Sequence, residues 1–237
     1  MDDRQMVKLG LDKRLLKSCI YCGGSPDTRD HVPSKVFLDK PYPDNLPVVA
    51  CCLECNRSFS LDEEYVACFL ECVIAGSTSP DAIQREGISR KLSKNLKLAS
   101  RIALAQKRSS DGQLTWYPEM DRVNNVTLML ACGHVAYEFS LPHLHDPISI
   151  NSWPLINLDD QAVERFFNPD EPLFQPWPGE IGSRGFMRAV EGSNLDSSNQ
   201  WQIVQPDRYE YRVSQADGLL VRFVLRDYLA CEVRWEY

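Results

Sequence analysis

The chain lacks any long hydrophobic run. No stretch of its 237 residues approaches the roughly 18 consecutive apolar residues that a membrane-spanning helix requires. The N-terminal residues include two early acids and no uninterrupted apolar stretch, so a signal peptide is not predicted. Internal repeats and low-complexity segments are also absent. Together these absences predict a cytoplasmic protein that has no membrane partner.

Without an export signal, the nine cysteines need an explanation other than disulfide bonds. Their number is odd, so at least one would stay unpaired in any disulfide scheme. We therefore expect metal ligands or reduced core thiols. The rest of the composition, 43% hydrophobic and 25% charged, is close to globular averages and predicts that most of the chain folds. The length fits one domain or two small ones.

The net charge of −7 argues against a surface that is covered with cations for nucleic acid. The charge is unevenly distributed, however. Residues 85–108 hold eight bases and one acid, and the first 108 residues together have a net charge of +3. Residues 109–237 have a net charge of −10. The front part is therefore compatible with nucleic acid, and the acidic C-terminal part could contact a protein partner.

Local patterns predict several helices. Ser60 and Glu63 fit a capping box, which predicts a helix over 62–74. Apolar residues at helical spacing predict helices over 88–106 and 121–139, and a short helix near 160–167. The segment 142–199 is rich in proline, aspartate and asparagine, so most of it is predicted to be ordered loop.

Alternation of apolar and polar residues predicts strands over 208–213, 219–225 and 230–235. Asp217 and Gly218 lie between the first two of these segments. This pair is a hairpin signal, because both positions tolerate positive φ. The sequence therefore predicts an α+β fold whose C-terminal part is an antiparallel sheet.

Four of the cysteines form two CxxC pairs, Cys19 with Cys22 and Cys52 with Cys55. A CxxC turn puts two thiolates on one side of a tight loop, which suits two corners of a tetrahedral zinc site. The sequence thus predicts a structural zinc site with four cysteine ligands. Cys51 could replace Cys52, but only Cys52 keeps the two-residue gap to Cys55. The other cysteines lie in apolar patterns and are predicted to be core thiols: Cys68, Cys72, Cys132 and Cys231.

Polar residues of specific types lie between and beside the two cysteine pairs. Asp30 and His31 lie between the pairs, in the stretch DHVPS. Asn45 precedes the second pair, and Asn56 directly follows it. Because these residues occur in this order and are bracketed by the two cysteine pairs, residues 19–56 resemble the HNH nuclease family. More narrowly, they resemble its zinc-stapled ββα-metal, or treble-clef, type. The resemblance implies an N-terminal ββα-metal module that precedes the central helices and the C-terminal sheet unit.

The resemblance also implies a metal-dependent endonuclease that hydrolyses DNA phosphodiester bonds and leaves 5′-phosphate and 3′-hydroxyl ends. His31 would be the general base, because an imidazole pKa lies near working pH. Asp30 and Asn56 would hold a catalytic Mg2+ or Mn2+ through oxygen atoms, which hard cations prefer. Asn45 would pin the loop by hydrogen bonds and hold the backbone of His31 in place.

The chain departs from the commonest family pattern after the second cysteine pair. Asn56 stands where many members have histidine, and Arg57-Ser58 follows where many have Lys-Gly. Asparagine variants are a branch of the family, so the departure leaves the choice between catalytic metals open. Arg57 could contact a phosphate or simply face solvent.

A second group of candidate nucleic-acid contacts lies on the predicted basic helix at 88–106. Arg90, Lys94, Lys97 and Arg101 recur there at spacings of three and four. Such cations could neutralise several phosphates and make binding strongly dependent on salt. The alternative is an ordinary solvated helix face, and the near absence of acids is what favours the phosphate role.

The other three histidines carry weaker signals. A second metal site built from Cys132, His134, His143 and His145 would match no common zinc spacing, so it is not predicted. His134 is expected to pack within the helix at 121–139. His143 and His145 are expected to lie in a loop.

The sequence thus predicts three segments: an HNH module with structural zinc over 1–80, a helical segment with the basic helix over 81–141, and a loop-rich segment with the C-terminal sheet over 142–237. The third would select a partner or target, because the nuclease motif alone is too small to do so. By analogy, nucleases with such appended segments resemble bacterial or phage-borne defence effectors and mobile-element enzymes.

Other interpretations stay open from the sequence. The zinc module could bind nucleic acid or protein without cutting. The nuclease could be a subunit that is silent until a partner activates it. RNA could also replace DNA as the substrate.

Overall fold

A computed structural model of the chain describes residues 13–108, 114–142, 144–168, 183–191, 201–215 and 218–236. Within these residues the protein is α+β, as predicted, with six α-helices and nine β-strands. Two compact units are present. The first joins the described residues up to Ser58 with those from Thr127 onwards, and the second is Phe59–Val126. These limits differ from the predicted segment boundaries after residues 80 and 141.

The α-helices are α1 (Leu53–Ala75), α2 (Glu86–Lys94), α3 (Leu96–Ala105), α4 (Met120–Phe139), α5 (Asp160–Phe167) and α6 (Arg184–Glu191). The strands are β1 (Thr28–His31), β2 (Val48–Cys51), β3 (Gln106–Arg108), β4 (Leu114–Trp116), β5 (Ser149–Pro154), β6 (Gln202–Gln205), β7 (Tyr209–Gln215), β8 (Gly218–Leu225) and β9 (Leu229–Glu236). No helix in the described part of the chain is long and apolar enough to cross a membrane.

The first unit begins with a strand–strand–helix arrangement. β1 and β2 pair antiparallel, with Asp30 opposite Val49 and His31 opposite Val48. α1 starts at Leu53, immediately after β2. The prediction of a helix that begins at 62 behind a Ser60 cap is therefore wrong at its N-terminal end, and Ser60 lies inside α1.

Cys52 takes the capping role that the sequence assigned to Ser60. Its Sγ accepts the backbone N–H of Cys55 at 3.3 Å, and its carbonyl oxygen accepts that of Asn56 at 3.1 Å. The first of these bonds satisfies a donor that the first turn of a helix leaves without an intrahelical partner. Cysteine is not among the usual N-cap residues, so local preference pointed to Ser60 instead.

The predicted helix at 88–106 is two helices, α2 and α3, which meet at Asn95. Asn95 has a non-helical backbone, with φ −105° and ψ 77°, and its side-chain oxygen accepts the N–H of Leu98 at 3.1 Å. Asparagine is a favoured N-cap, so a second helix starts there. α4 and α5 match the helices predicted over 121–139 and 160–167 to within one residue.

The C-terminal sheet is antiparallel, as predicted, and has five strands in the order β5-β9-β8-β7-β6. Three of them match the predicted strands, and β7 pairs with β8 as a hairpin. Asp217 of the hairpin signal lies outside the described residues. β5 was predicted as loop because it ends in proline and contains asparagine. A strand at the sheet edge tolerates both, since one side of its backbone needs no partner.

α4 connects two parts of the first unit. A Cβ at Gly133 would come within 2.8 Å of the Val32 side chain, so the helix lies close to the residue that follows His31. His134 is buried, as expected from the sequence. Its ring stacks on Tyr211 with centroids 3.8 Å apart, and its Nε2 shares a 2.6 Å hydrogen bond with the Tyr209 hydroxyl. The end of β1 and the sheet are therefore both packed on α4.

We predict that Gly218→Ala lowers the free energy of unfolding by about 2 kcal/mol or more, because left-handed strain alone costs on the order of 1–3 kcal/mol. Gly218 has a φ of 153°, and a Cβ there would lie 1.9 Å from the backbone oxygen of Trp235. Gly87→Ala is the control, since a methyl there meets no described atom within 4 Å beyond its own helix backbone. Urea unfolding measures both; equal midpoints for wild type and Gly218→Ala would contradict the prediction.

Candidate functional site

Four cysteines form a cluster at the N-terminal end of the first unit. The Sγ atoms of Cys19, Cys22, Cys52 and Cys55 all lie within 4.8 Å of one another, and those of Cys22 and Cys52 are 3.7 Å apart. Four sulfurs placed tetrahedrally at about 2.3 Å from zinc would be about 3.8 Å apart. This four-cysteine cluster could therefore hold a structural metal such as zinc.

The thiols near the cluster differ in their tendency to ionise. Burial raises the pKa of Cys19, but backbone N–H groups of Cys52, Cys22 and Tyr21 outweigh it and lower the pKa to about 7. Such a thiol readily gives the thiolate that a metal requires. Cys51 is buried outside the cluster, and its Sγ donates to the Cys52 carbonyl oxygen at 3.2 Å. Burial raises the pKa of Cys51 strongly, so it stays a protonated thiol.

The remaining cysteines behave as core thiols. Cys68, Cys72 and Cys231 are buried, and Cys132 is partly buried. Burial raises the pKa of each of the four thiols, to about 12 for Cys132. None of them belongs to a metal-ligand group within the described residues.

His31 lies at the end of β1 and lines an open cavity of about 480 Å3. The other residues that line it are Pro26, Asp27, Thr28, Arg29 and Val48. Burial, with a contribution from the positive charge of Lys35, lowers the pKa of His31 to about 4. The imidazole is therefore neutral at pH 7, but its pKa lies below the near-neutral value expected from the sequence, so it is a weaker base than a free imidazole.

Asp30 precedes His31 on β1, and the side chains of consecutive strand residues point to opposite sides. The Asp30 Oδ2 accepts a hydrogen bond from the Tyr21 hydroxyl at 2.8 Å. Burial raises the pKa of Asp30, although hydrogen bonds from Tyr21 and the His31 backbone oppose it. Tyr21 lies inside the first CxxC pair, so the cysteine loop itself contacts this carboxylate. Tyr21 could not be identified from the sequence, because a CxxC pattern does not reveal where the intervening side chains point.

Asn56 lies in the first turn of α1 and contacts β1. Its Nδ2 donates to the Thr28 hydroxyl at 3.2 Å and to the Arg29 carbonyl oxygen at 3.3 Å. The side-chain oxygen of Asn56 is then the atom that remains for a cation. Thr28 and Asp30 share one side of β1 by strand alternation, so these contacts bring Asn56 to the strand that carries Asp30. Thr28 is a second residue of the site that no sequence pattern indicates.

The structure does not bring the side chain of Asn45 to His31. Asn45 is exposed in the turn before β2 and makes no side-chain hydrogen bond to any described residue. The backbone ties the loop instead, since the N–H of Val32 donates to the Pro47 carbonyl oxygen at 3.0 Å. Arg57 is exposed on α1, next to Asn56.

Three of the four predicted phosphate contacts in the second unit are exposed: Arg90, Lys94 and Lys97. Neither lysine makes an ion pair with a described residue, and Arg90 has an exposed pair with Glu86, a kind that contributes only a few tenths of a kcal/mol. Arg90 and Lys94 also line an open depression of about 570 Å3 beside Asn95. These cations can meet an anion from solvent.

Arg101, the fourth predicted contact, is held by the fold. It donates to both carboxylate oxygens of Glu119, and its guanidinium lies 6.0 Å from the ring centre of Tyr65. Glu119 also accepts a bond from Arg122 at 3.0 Å. Burial opposes ionisation of Glu119, but the two arginines lower its pKa overall. This network engages Arg101 within the second unit.

The other histidines do not join a metal-ligand group among the described residues. Burial lowers the pKa of His134 to about 3, so it stays neutral in its bond with Tyr209. His145 Nε2 lies 3.0 Å from the carbonyl oxygen of Glu236. His143 lies outside the described residues.

No protein-family model, curated protein or solved structure matches the chain. A function must therefore be inferred from the residues of the site. They comprise a four-cysteine cluster, a neutral histidine in an open cavity, a buried aspartate on the same strand and an asparagine on the adjoining helix.

We predict that Cys52→Ser abolishes metal binding, whereas Cys51→Ser retains it. The residues are adjacent, but only the Cys52 Sγ belongs to the cluster, and a serine at 51 can still donate to the Cys52 carbonyl. Elemental analysis should find about one zinc per chain in wild type and Cys51→Ser, and close to none in Cys52→Ser. Metal loss should also lower the thermal midpoint, because binding energy at such a site is folding energy. Equal zinc content in the two variants would refute the ligand assignment.

Proposed function

We propose that the chain is a metal-dependent endonuclease of the HNH type that hydrolyses DNA phosphodiester bonds, with Zn2+ in the four-cysteine cluster. The observation that carries this proposal is the position of His31 at the end of β1, in an open cavity, while α1 presents Asn56 to the same strand. Asp30, which precedes His31 on that strand, is the third residue of the proposed set.

In the proposed reaction, His31 removes a proton from the attacking water. Its imidazole is neutral at pH 7, because burial keeps its pKa well below the usual value. The cavity is open, so it can admit a polymer chain as well as a small molecule. Arg29 lines the same cavity, and its positive charge favours a phosphate near His31.

Asp30 and Asn56 suit a hard divalent cation such as Mg2+ or Mn2+, because both offer oxygen atoms. The Nδ2 of Asn56 is engaged with β1, which leaves its carbonyl oxygen for the cation. When bound, the cation supplies charge stabilisation at the phosphoryl group and the leaving 3′ oxygen.

The exposed cations of α2 and α3 are proposed to contact the DNA backbone. Arg90, Lys94 and Lys97 are the residues concerned, since Arg101 is bound to Glu119. Phosphate contacts of this kind contribute affinity without sequence preference. Base specificity would have to come from other residues.

We predict that His31→Ala lowers the rate of plasmid cleavage by about 10²–10⁴-fold, the usual contribution of a general base. His145→Ala is the matched control and should cut at the wild-type rate, because the His145 side chain hydrogen-bonds only to the Glu236 carbonyl among the described residues, and the bond from Trp235 Nε1 goes to the His145 backbone oxygen, which alanine keeps. Conversion of supercoiled plasmid to nicked and linear forms, with Mg2+ or Mn2+ and with EDTA, provides the measurement. An RNA substrate in parallel distinguishes DNA from RNA cleavage. If wild type and His31→Ala leave both substrates equally intact, the chain does not cut nucleic acid on its own, and a non-catalytic zinc module or a subunit that a partner must activate is the correct interpretation.

We also predict that substitutions of two cations of α3 change different properties, one the affinity for DNA and the other the stability of the fold. Lys97→Ala should reduce the slope of log affinity for DNA against log salt by about 0.9, the value for one phosphate contact, and leave unfolding unchanged. Arg101→Ala should lower the free energy of unfolding by about 1 kcal/mol, because it breaks the ion pairs with Glu119. DNA-binding titrations at several salt concentrations and urea unfolding should be carried out on both variants. An unchanged slope in Lys97→Ala would mean that this helix does not contact phosphates.

A further inference from the structure

The connection between β1 and β2 is bound to the C-terminal sheet through Asp39. The Asp39 Oδ2 accepts hydrogen bonds from Arg208 Nε at 2.5 Å and from Arg226 Nη1 at 3.1 Å. Asp39 follows His31 in the chain and precedes the turn that leads into β2. One carboxylate thus receives two cations from the sheet.

The backbone of Asp39 is bound as well. The side-chain oxygen of Gln205 accepts the Asp39 N–H at 2.8 Å, and the Gln205 Nε2 donates to the Asp39 carbonyl oxygen at 3.0 Å. The same Nε2 lies 3.4 Å from the Pro41 carbonyl oxygen. An amide that binds both backbone groups of one residue fixes that residue in both position and rotation.

The three partners come from two turns at the same end of the sheet. Gln205 and Arg208 flank the turn between β6 and β7, and Arg226 begins the turn between β8 and β9. The Arg226 N–H donates to the Arg208 carbonyl oxygen at 2.8 Å, so the two turns are joined. Arg226 has a φ of 58°, which costs roughly 1–2 kcal/mol for a residue with a long side chain. Asp227, the next residue, also has a positive φ of 49°, as a tight hairpin turn requires, so the turn itself accounts for this backbone conformation.

Stability alone does not account for this arrangement. The Arg226 side chain is only 8% exposed and that of Asp39 is 32% exposed. Desolvation of a buried ion pair offsets much of its attraction, and apolar residues often stabilise a fold as well or better. The two arginines and the Gln205 amide instead give the β1–β2 connection a single defined position.

We propose that Asp39 is a positioning residue. The Asp39 clamp, formed by Asp39 with Gln205, Arg208 and Arg226, fixes the β1–β2 connection and thereby the orientation of His31 in its cavity. This inference rests on the proposed nuclease function and deepens it. The C-terminal sheet would then help to position His31, in addition to any role in target selection.

Asp39→Asn tests the clamp, because it keeps the size of the side chain and removes the charge that holds both arginines. Asp44→Asn is the matched control: Asp44 is exposed in the same connection, and its side chain makes no hydrogen bond or ion pair with a described residue. We expect kcat to fall at least about 10-fold in Asp39→Asn, with KM for the plasmid and zinc content unchanged, since small misplacements of a catalytic group reduce rate steeply. Asp44→Asn should match wild type.

A spectroscopic measurement makes the test independent of cleavage. The chain has four histidines, so their imidazole resonances can be resolved by NMR, and His31→Ala assigns that of His31. Asp39→Asn should shift or broaden the His31 resonance and leave that of His145 unchanged. Arg208→Gln should give the same changes to a smaller degree, and it replaces Asp39→Asn if that variant fails to fold.

The outcomes separate the two proposals. An unchanged His31 resonance in Asp39→Asn and Arg208→Gln overturns the clamp, whether or not the chain cuts DNA. A shifted resonance with unchanged kcat overturns its positioning role. An intact plasmid with wild-type protein overturns a nuclease that acts on its own, and the imidazole spectrum then still decides whether the clamp orients His31.

Discussion

Cys52 ties the four-cysteine cluster to the start of α1, and the arrangement of the candidate site depends on that link. Its Sγ belongs to the cluster and also accepts the N–H of Cys55, so the helix begins at Leu53. Asn56 therefore falls in the first helical turn, where its Nδ2 reaches Thr28 and the Arg29 carbonyl oxygen. A helix that began behind Ser60 would leave Asn56 in a loop, without a fixed relation to β1.

A motif of roughly 40 residues cannot build a hydrophobic core of its own, and this chain compensates in two ways. The four-cysteine cluster could cross-link one end through a metal, and Tyr21 extends from that loop to the Asp30 carboxylate. On the other side, α4 approaches Val32 through Gly133, and the sheet holds Asp39. The first unit accordingly joins the N-terminal residues with those from Thr127 onwards.

Features that depend on a local sequence pattern could be predicted from the sequence. Spacing alone identified the cysteines of the cluster, and periodicity identified α4, α5 and the three strands β7, β8 and β9. The start of α1 was missed because a cysteine acts as its cap, and β5 because an edge strand tolerates the residues that usually mark loops. Tyr21 and the Asp39 clamp were missed for another reason. Asp39 meets Gln205 and Arg208 across more than 160 residues, and no local pattern encodes such a contact.

Counts of charged residues along the sequence do not show how many of those charges are paired in the fold. The acid-rich segment 61–84 and the base-rich segment 85–108 belong to one unit, where much of their charge is paired. Arg85 meets Glu71 at 3.4 Å and Lys91 meets Glu64 at 3.0 Å, while Arg101 binds Glu119.

These pairings limit what the second unit can contribute to the proposed DNA binding. Each phosphate contact adds about 0.9 to the salt dependence of affinity, so eight bases would predict a steep dependence. Four of the bases are exposed without an ion pair to a described residue, namely Lys94, Lys97, Lys107 and Arg108, and Arg90 has only a weak one. The salt dependence that this unit contributes would therefore be smaller than eight unpaired bases would give. Much of the binding would then depend on residues beside the cavity itself, among which Arg29 lies next to His31.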